Sequence, residues 1–187
     1  MTNPIATIEM SSGNKIVVEL FPENAPNTVN SFIWVAKNGH YDNQPIKRVV
    51  PGFVVQSSYT NFENPALNHT IEGEFASNGF EKGLPNTPGC VAMGGDGKKY
   101  ASCCGFYFTL EYHERLDGNY PVFGKVIEGW DEVRRIEQVK TAPVDVGIPN
   151  VTVNEPIEPE VMVKVTVETF GISYPDPVLL PGDLIKF

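Results

Sequence analysis

The chain is poor in cysteine, histidine, cations and long apolar runs, and each shortage removes a class of function. Of its three cysteines, Cys90, Cys103 and Cys104, two are adjacent. An odd set with a vicinal pair makes a poor disulfide framework, so small buried strand or loop residues are the plainer reading. His40, His69 and His113 are widely separated, with no metal-ligand spacing. No stretch approaches the roughly 20 apolar residues of a membrane helix. The start, MTNPIATIEM, lacks the basic and apolar regions of a signal peptide, and the expected address is the cytoplasm. Lys and Arg number 14 against 23 Asp and Glu, a net charge of −9 that argues against nucleic acid or an anionic membrane as partner. Much of the acidity lies late, since residues 141–187 hold seven acids against Lys164 and Lys186.

What remains is a chain of 187 residues, 41% apolar, enough for the core of one domain. Two alternating segments, 6–10 and 15–20, flank Ser11-Ser12-Gly13-Asn14 and predict a hairpin. A helix is expected near 26–37, with Asn24 as its cap, Pro26 in its first turn, and Val29, Phe32, Ile33 and Ala36 at helical spacing. Asn38-Gly39 ends it. From Gln56 to Gly89 periodicity is weak and Gly, Asn and Pro are frequent, which predicts a long loop with a short strand at best. Strands are expected at 90–93, 106–110 and 122–126, a second helix at 129–139, and a closing strand at 161–169. Residues 141–160 read as a Pro- and acid-rich connection. About eight short strands and two helices predict a mainly β fold, a closed eight-stranded antiparallel β-barrel capped by two α-helices. The barrel domain spans 1–171. The tail 172–187, with Leu179, Leu180, Leu184, Ile185 and Phe187, is apolar enough to pack on the domain or a partner.

The densest chemistry lies in Ile46–Gln56, IKRVVPGFVVQ. A strand-like run carries Arg48 into a Pro51-Gly52 turn, and Phe53-Val54-Val55 leads out to Gln56. Alternation places Phe53 and Val55 on one face, and the bend can gather one charge, one aromatic wall and one amide: Arg48, Phe53 and Gln56. Taken alone, a hairpin with a solvated arginine is the plainer reading.

The segment resembles the cyclophilin signature, in which an arginine precedes a Pro-Gly-Phe turn and a glutamine follows three residues after the phenylalanine. Further blocks resemble that family in the same order: Gly73-Glu74-Phe75-Ala76 with Asn78-Gly79-Phe80, then Pro88–Met93, then Tyr107-Phe108 as paired aromatics, then Leu116–Val126. The similarity spans about 4–140 and resumes near 161–171. It implies a peptidyl-prolyl cis-trans isomerase that assists protein folding, acts on Xaa-Pro bonds in peptides and partly folded proteins, and needs no cofactor and no metal. By resemblance Arg48, Phe53 and Gln56 are catalytic, with Arg48 donating to the prolyl nitrogen and Gln56 positioning Arg48 and the substrate backbone. Phe53, Phe108 and Leu116 would line the proline pocket. Val54, Gly94, Gly95, Phe106, Arg115 and Tyr120 would complete the substrate-binding surface. On strand pattern alone, Phe108 and Leu116 read as barrel core.

The chain also departs from the family. An amide ahead of the paired aromatics is replaced by Phe106, a rim tryptophan or histidine by Arg115, a rim histidine by Tyr120, and a methionine by Val54. The spacing from Phe108 to Leu116 is one residue short. The altered rim favours weak cyclosporin binding and tolerance of an acidic residue near the proline. It also keeps open an alternative, a proline-peptide binding module with little or no turnover. Gly94-Gly95-Asp96-Gly97-Lys98-Lys99 lacks the spacing and the Ser or Thr of a phosphate loop.

Overall fold

The computed structural model describes residues 2–148 and 151–185. Strands β1 (Ile5–Met10) and β2 (Lys15–Leu20) form the opening hairpin, and alternation buries Ala6, Ile8 and Met10 with Ile16, Val18 and Leu20. Helix α1 (Pro26–Lys37) turns Val29, Phe32, Ile33, Val35 and Ala36 into the core. Its N-terminus is not capped by Asn24, whose side chain reaches the Val122 carbonyl instead. The cap comes from Glu74, far along the chain. Its carboxylate accepts from the N–H groups of Asn27 (2.9 Å) and Thr28 (2.7 Å), meeting both the unpaired donors and the positive end of the helix dipole.

The chain continues through β3 (Gln44–Pro45), β4 (Arg48–Val50), β5 (Val54–Gln56), β6 (His69–Glu72), β7 (Cys90–Gly95), β8 (Tyr100–Thr109) and β9 (Val122–Glu128). Helix α2 (Trp130–Glu137), β10 (Thr141–Asp145), β11 (Thr152–Pro156), β12 (Val161–Glu168) and β13 (Leu180–Pro181) follow. Eleven strands form one curled antiparallel sheet in the order β13-β6-β8-β7-β9-β2-β1-β12-β3, with β5 pairing β8 and carrying β4. The strand count exceeds the expected eight because pieces of two or three residues join the longer ladders. The longest ladder path runs from β13 to β3, and the continuous segment 44–50 pairs with β12 through β3 and with β5 through β4, the Ile46 N–H reaching the Glu160 carbonyl and the Lys47 N–H the Gln56 carbonyl. Inside the curl Phe32, Tyr41, Phe106 and Phe123 pack ring against ring, with α1 over them. Among the described residues no helix is long and apolar enough to cross a membrane.

Residues 141–160 are not a plain connection. Strands β10 and β11 form a two-stranded ribbon, and Pro143 is tolerated because each strand keeps one unpaired edge. The ribbon lies against β4, held by buried Val153 and by the Lys47–Glu155 pair at 2.8 Å.

After β12 the chain crosses α1, where Val178 exchanges two hydrogen bonds with the Asn27 side chain at 2.8 and 3.1 Å. Leu179 packs on the core, and β13 then pairs with β6. Phe187 lies outside the described residues.

Candidate active site

The site grows from the β4–β5 hairpin. Pro51 and Gly52 occupy the two central positions of its turn, and the Phe53 N–H returns to the Val50 carbonyl at 2.9 Å. Gly52 has φ +70°, where a side chain is strained, so glycine lets the turn be this tight. Antiparallel register sets Arg48 directly opposite Gln56. The Arg48 Nη1 group donates to Gln56 Oε1 at 2.9 Å, and Gln56 Nε2 donates to the Ser58 carbonyl at 2.9 Å. Both ends of the buried amide are therefore used, which fixes its orientation and holds the guanidinium. Arg48 also stands 5.7 Å from the centre of the Phe53 ring and 5.5 Å from that of Tyr59.

Burial, and then the neighbouring Arg115, push the Arg48 pKa below its ordinary value, while Tyr59 and Tyr120 oppose the shift. A guanidinium still keeps its proton at any working pH. Among the described residues no carboxylate lies within ion-pair distance of Arg48 or Arg115. A half-buried cation held by an amide and not neutralised by an acid is set to donate into the space before it.

That space is a cavity of about 590 Å³. Its floor comes from a second, outer apolar cluster containing Val54, Tyr107 and Leu116, with Phe53 and Tyr120 packed at its edge. Gly94, Gly95 and Gly105 border it from β7 and β8. Arg48, Phe53, Val54, Gln56, Gly94, Gly95, Arg115, Leu116 and Tyr120 all border this cavity.

Phe106 and Phe108 do not. Both point inward from β8 and are buried in the main core, where their rings pack edge to face at 5.6 Å. The intervening Tyr107 faces the cavity. Its O–H donates to Asn86 Oδ1 at 2.8 Å, and burial raises its pKa. Ahead of Tyr107 it is Gly105, not Phe106, that borders the cavity. Counting from Tyr107 also removes the one-residue shortfall before Leu116. Val55 likewise belongs to the main core rather than sharing a face with Phe53. Phe53 sits in the turn, outside the strand alternation, while Val54 and Gln56 look outward.

Arg115 is exposed and lies over the Phe53 ring, 4.4 Å from its centre. Tyr120 stacks edge to face on Tyr107 at 6.1 Å. The glycine-rich loop after Gly95 is shaped by Asp96. Burial alone would raise its pKa, but its carboxylate accepts from the N–H groups of Lys98, Lys99 and Tyr100 at 2.8, 2.8 and 2.9 Å, and these bonds hold it low. Two contacts escaped the sequence reading because nothing local marks them. His113 Nε2 lies 2.9 Å from the Gly52 carbonyl, with its ring edge-on to Phe53 at 4.9 Å, and Glu137 Oε1 accepts from the Gly52 N–H. Among the described residues no three His, Cys, Asp or Glu side chains gather as a metal site.

Residues 5–166 match the model of the family described as cyclophilin type peptidyl-prolyl cis-trans isomerase/CLD. The Schizosaccharomyces pombe peptidyl-prolyl cis-trans isomerase ppi1 is 30% identical over 162 residues, covering 86% of this chain and 97% of that protein. An Acinetobacter baylyi peptidyl-prolyl cis-trans isomerase is 32% identical over 149 residues, 76% of each. A Cryptococcus neoformans peptidyl-prolyl cis-trans isomerase-like 2 is 33% identical over 140 residues, and the chain spans only 24% of that longer relative. A solved Cryptosporidium parvum cyclophilin type peptidyl-prolyl cis-trans isomerase shares the fold, with a TM-score of 0.70 over 89% of this chain and 98% of that one at 20% identity.

Proposed function

Because the chain belongs to the cyclophilin-type peptidyl-prolyl cis-trans isomerase family, we propose that it catalyses cis-trans isomerisation of Xaa-Pro bonds in peptides and partly folded proteins, and so assists protein folding. Resonance in the peptide bond sets a barrier of about 18–20 kcal/mol. The two Xaa-Pro isomers nonetheless lie close in energy and exchange over tens to hundreds of seconds. No nucleophile is needed. The site must hold the proline ring and favour the twisted state in which the prolyl nitrogen becomes pyramidal and can accept a hydrogen bond. Phe53, Val54, Tyr107 and Leu116 supply the apolar seat. Arg48, oriented by Gln56, supplies a donor that neither titrates nor reorients. Shortening an exchange from ~100 s to ~10 ms takes about 5.5 kcal/mol, within reach of one preorganised charged donor plus binding in a dry seat.

The observation that carries this reading is the Arg48–Gln56 pair bordering a cavity with an apolar floor, with no carboxylate within ion-pair distance of the guanidinium among the described residues. It is tested by the exchange of a short Xaa-Pro peptide, followed by protease coupling or NMR, with and without the protein. The expected result is acceleration by several decades. Tight binding with an unchanged rate selects a proline-peptide binding module instead, a reading favoured by Arg115 lying on the Phe53 face.

The rim supports a finer substrate preference. Arg115 and Arg48 both approach Phe53, at 4.4 and 5.7 Å, so an acidic residue beside the substrate proline is tolerated or preferred. A large apolar macrocycle such as cyclosporin is bound weakly. Three buried free thiols, Cys90, Cys103 and Cys104, support a reducing compartment, and the cytoplasm is the proposed address.

A further inference from the structure

The cavity extends past the proline seat, and part of its lining comes from beyond the part of the chain that matches the family. The match ends at residue 166, yet Gly182 and Ile185 border the same cavity as Arg48 and Ser102 of β8. We propose that the segment 179–185 is a working wall of the peptide site, contacting substrate residues at least two positions away from the proline. The proposal takes the location of the proline seat from the isomerase reading and adds an extended subsite to it.

The segment is docked at successive points. Asn27 holds Val178 by two backbone hydrogen bonds, and Leu179 packs against the core. Leu180 and Pro181 then pair with Thr70 and His69, and the Thr70 hydroxyl donates to the Pro181 carbonyl at 2.9 Å. Gly182 follows where nothing larger fits, since a Cβ there would lie 2.2 Å from Asn68 Oδ1 and 2.5 Å from the Asn68 carbonyl oxygen. This close seat sends the short helical turn Gly182–Leu184 along the β6 strand and delivers Ile185 to the cavity. A strand laid over an otherwise open sheet edge also protects that edge. Edge protection alone, however, does not require the chain beyond it to border the site. The volume of about 590 Å³ lies within the range of pockets that bury an extended ligand, well beyond one proline ring. Ile185 adds an aliphatic side chain to a cavity that the polar Asn68 and Ser102 also line, which suits a flanking residue with both apolar side-chain area and backbone groups to pair.

The test compares a four-residue Xaa-Pro peptide with a ten-residue peptide of the same centre, flanked on both sides. Rates come from NMR exchange and affinities from titration, on wild type, Ile185→Arg, Ile185→Leu and Gly182→Val. Ile185→Arg and Gly182→Val are expected to lower kcat/KM for the ten-residue peptide about tenfold, mostly through KM. That loss should be at least fivefold greater than the loss on the four-residue peptide, and Ile185→Leu should restore most of it. Equal losses on both peptides, or none on the longer one, overturn the proposal. If wild type accelerates neither peptide, the isomerase reading fails by itself. The wall is then judged by affinity, and an unchanged Kd for the ten-residue peptide in Ile185→Arg and Gly182→Val overturns it.

Discussion

The carboxylate of Glu137, the last residue of α2, accepts the Gly52 N–H at 2.8 Å, so the second helix grips the turn that carries Phe53. The Gly52 carbonyl is held from the other side by His113, whose ring also abuts Phe53. Arg134 lies 2.9 Å from the second Glu137 oxygen, an ion-pair contact without the alignment of a hydrogen bond. Removing the carboxylate leaves a peptide N–H unpaired, at a cost of about 1–3 kcal/mol. Glu137→Ala is therefore expected to lower kcat/KM about tenfold, whereas Glu137→Gln, which can still accept the bond, stays within about threefold. Identical activity in wild type and both variants would show that the turn holds its shape without α2.

Arg48→Ala should reduce isomerisation by roughly two decades or more, because loss of one preorganised donor costs about 2.7–4 kcal/mol. The fold should persist, since Arg48 faces the cavity rather than the core. A peptide-exchange assay paired with thermal melting separates the two effects. Full activity in this variant removes Arg48 from the mechanism.

The arginine on the Phe53 ring should govern what the rim accepts. An apolar macrocycle must desolvate Arg115 and gains no flat apolar face from it, a cost of ~2–3 kcal/mol, or about 30–150-fold in affinity. Arg115→Trp is expected to tighten cyclosporin inhibition by that factor and to erase any advantage of a Glu-Pro over a Lys-Pro peptide. Nanomolar inhibition of the wild type, or no gain in the variant, refutes this role.

Acid should loosen the α2 end of the molecule. Glu132 accepts from Arg135 at 2.8 and 2.9 Å, from Ser12 at 2.6 Å and from Asn14 at 2.8 Å, tying α2 to the β1–β2 turn. The Arg135 bonds lead in lowering its pKa from 4.5 to about 2, against the opposing effect of burial. A carboxyl whose pKa is depressed on folding adds stability that is complete above the unfolded value and is lost as pH falls through the folded one. The window is therefore pH 4.5 down to about 2. Arg135 is partly solvated, so the contribution is discounted to about 1–2 kcal/mol. Glu132→Gln should lower Tm at pH 7 by roughly 3–6 °C and flatten the decline of Tm with acid. A variant whose acid profile parallels wild type would rule Glu132 out as its source.

Local pattern was enough to determine the opening hairpin, the 26–37 helix and the Pro51-Gly52 bend that can gather Arg48 and Gln56, because each depends on spacing within a dozen residues. Alternation, helical periodicity and a Pro-Gly turn act over that range. The cap on α1 was not readable, since Glu74 is brought to Asn27 and Thr28 by the fold, and neither was the placement of Ile185 beside the cavity. The aromatics of β8 show the limit most directly. From Cys103 to Leu110 every residue is buried, so hydrophobicity carries no phase that separates the two faces. Pairing decides it: Phe108 stands opposite Val55 and Val91 and turns inward, while Tyr107 stands opposite Gln56 and Ala92 and turns toward the cavity. Which ring faces the cavity is thus set by sheet register, a property that exists only once three distant strands have come together.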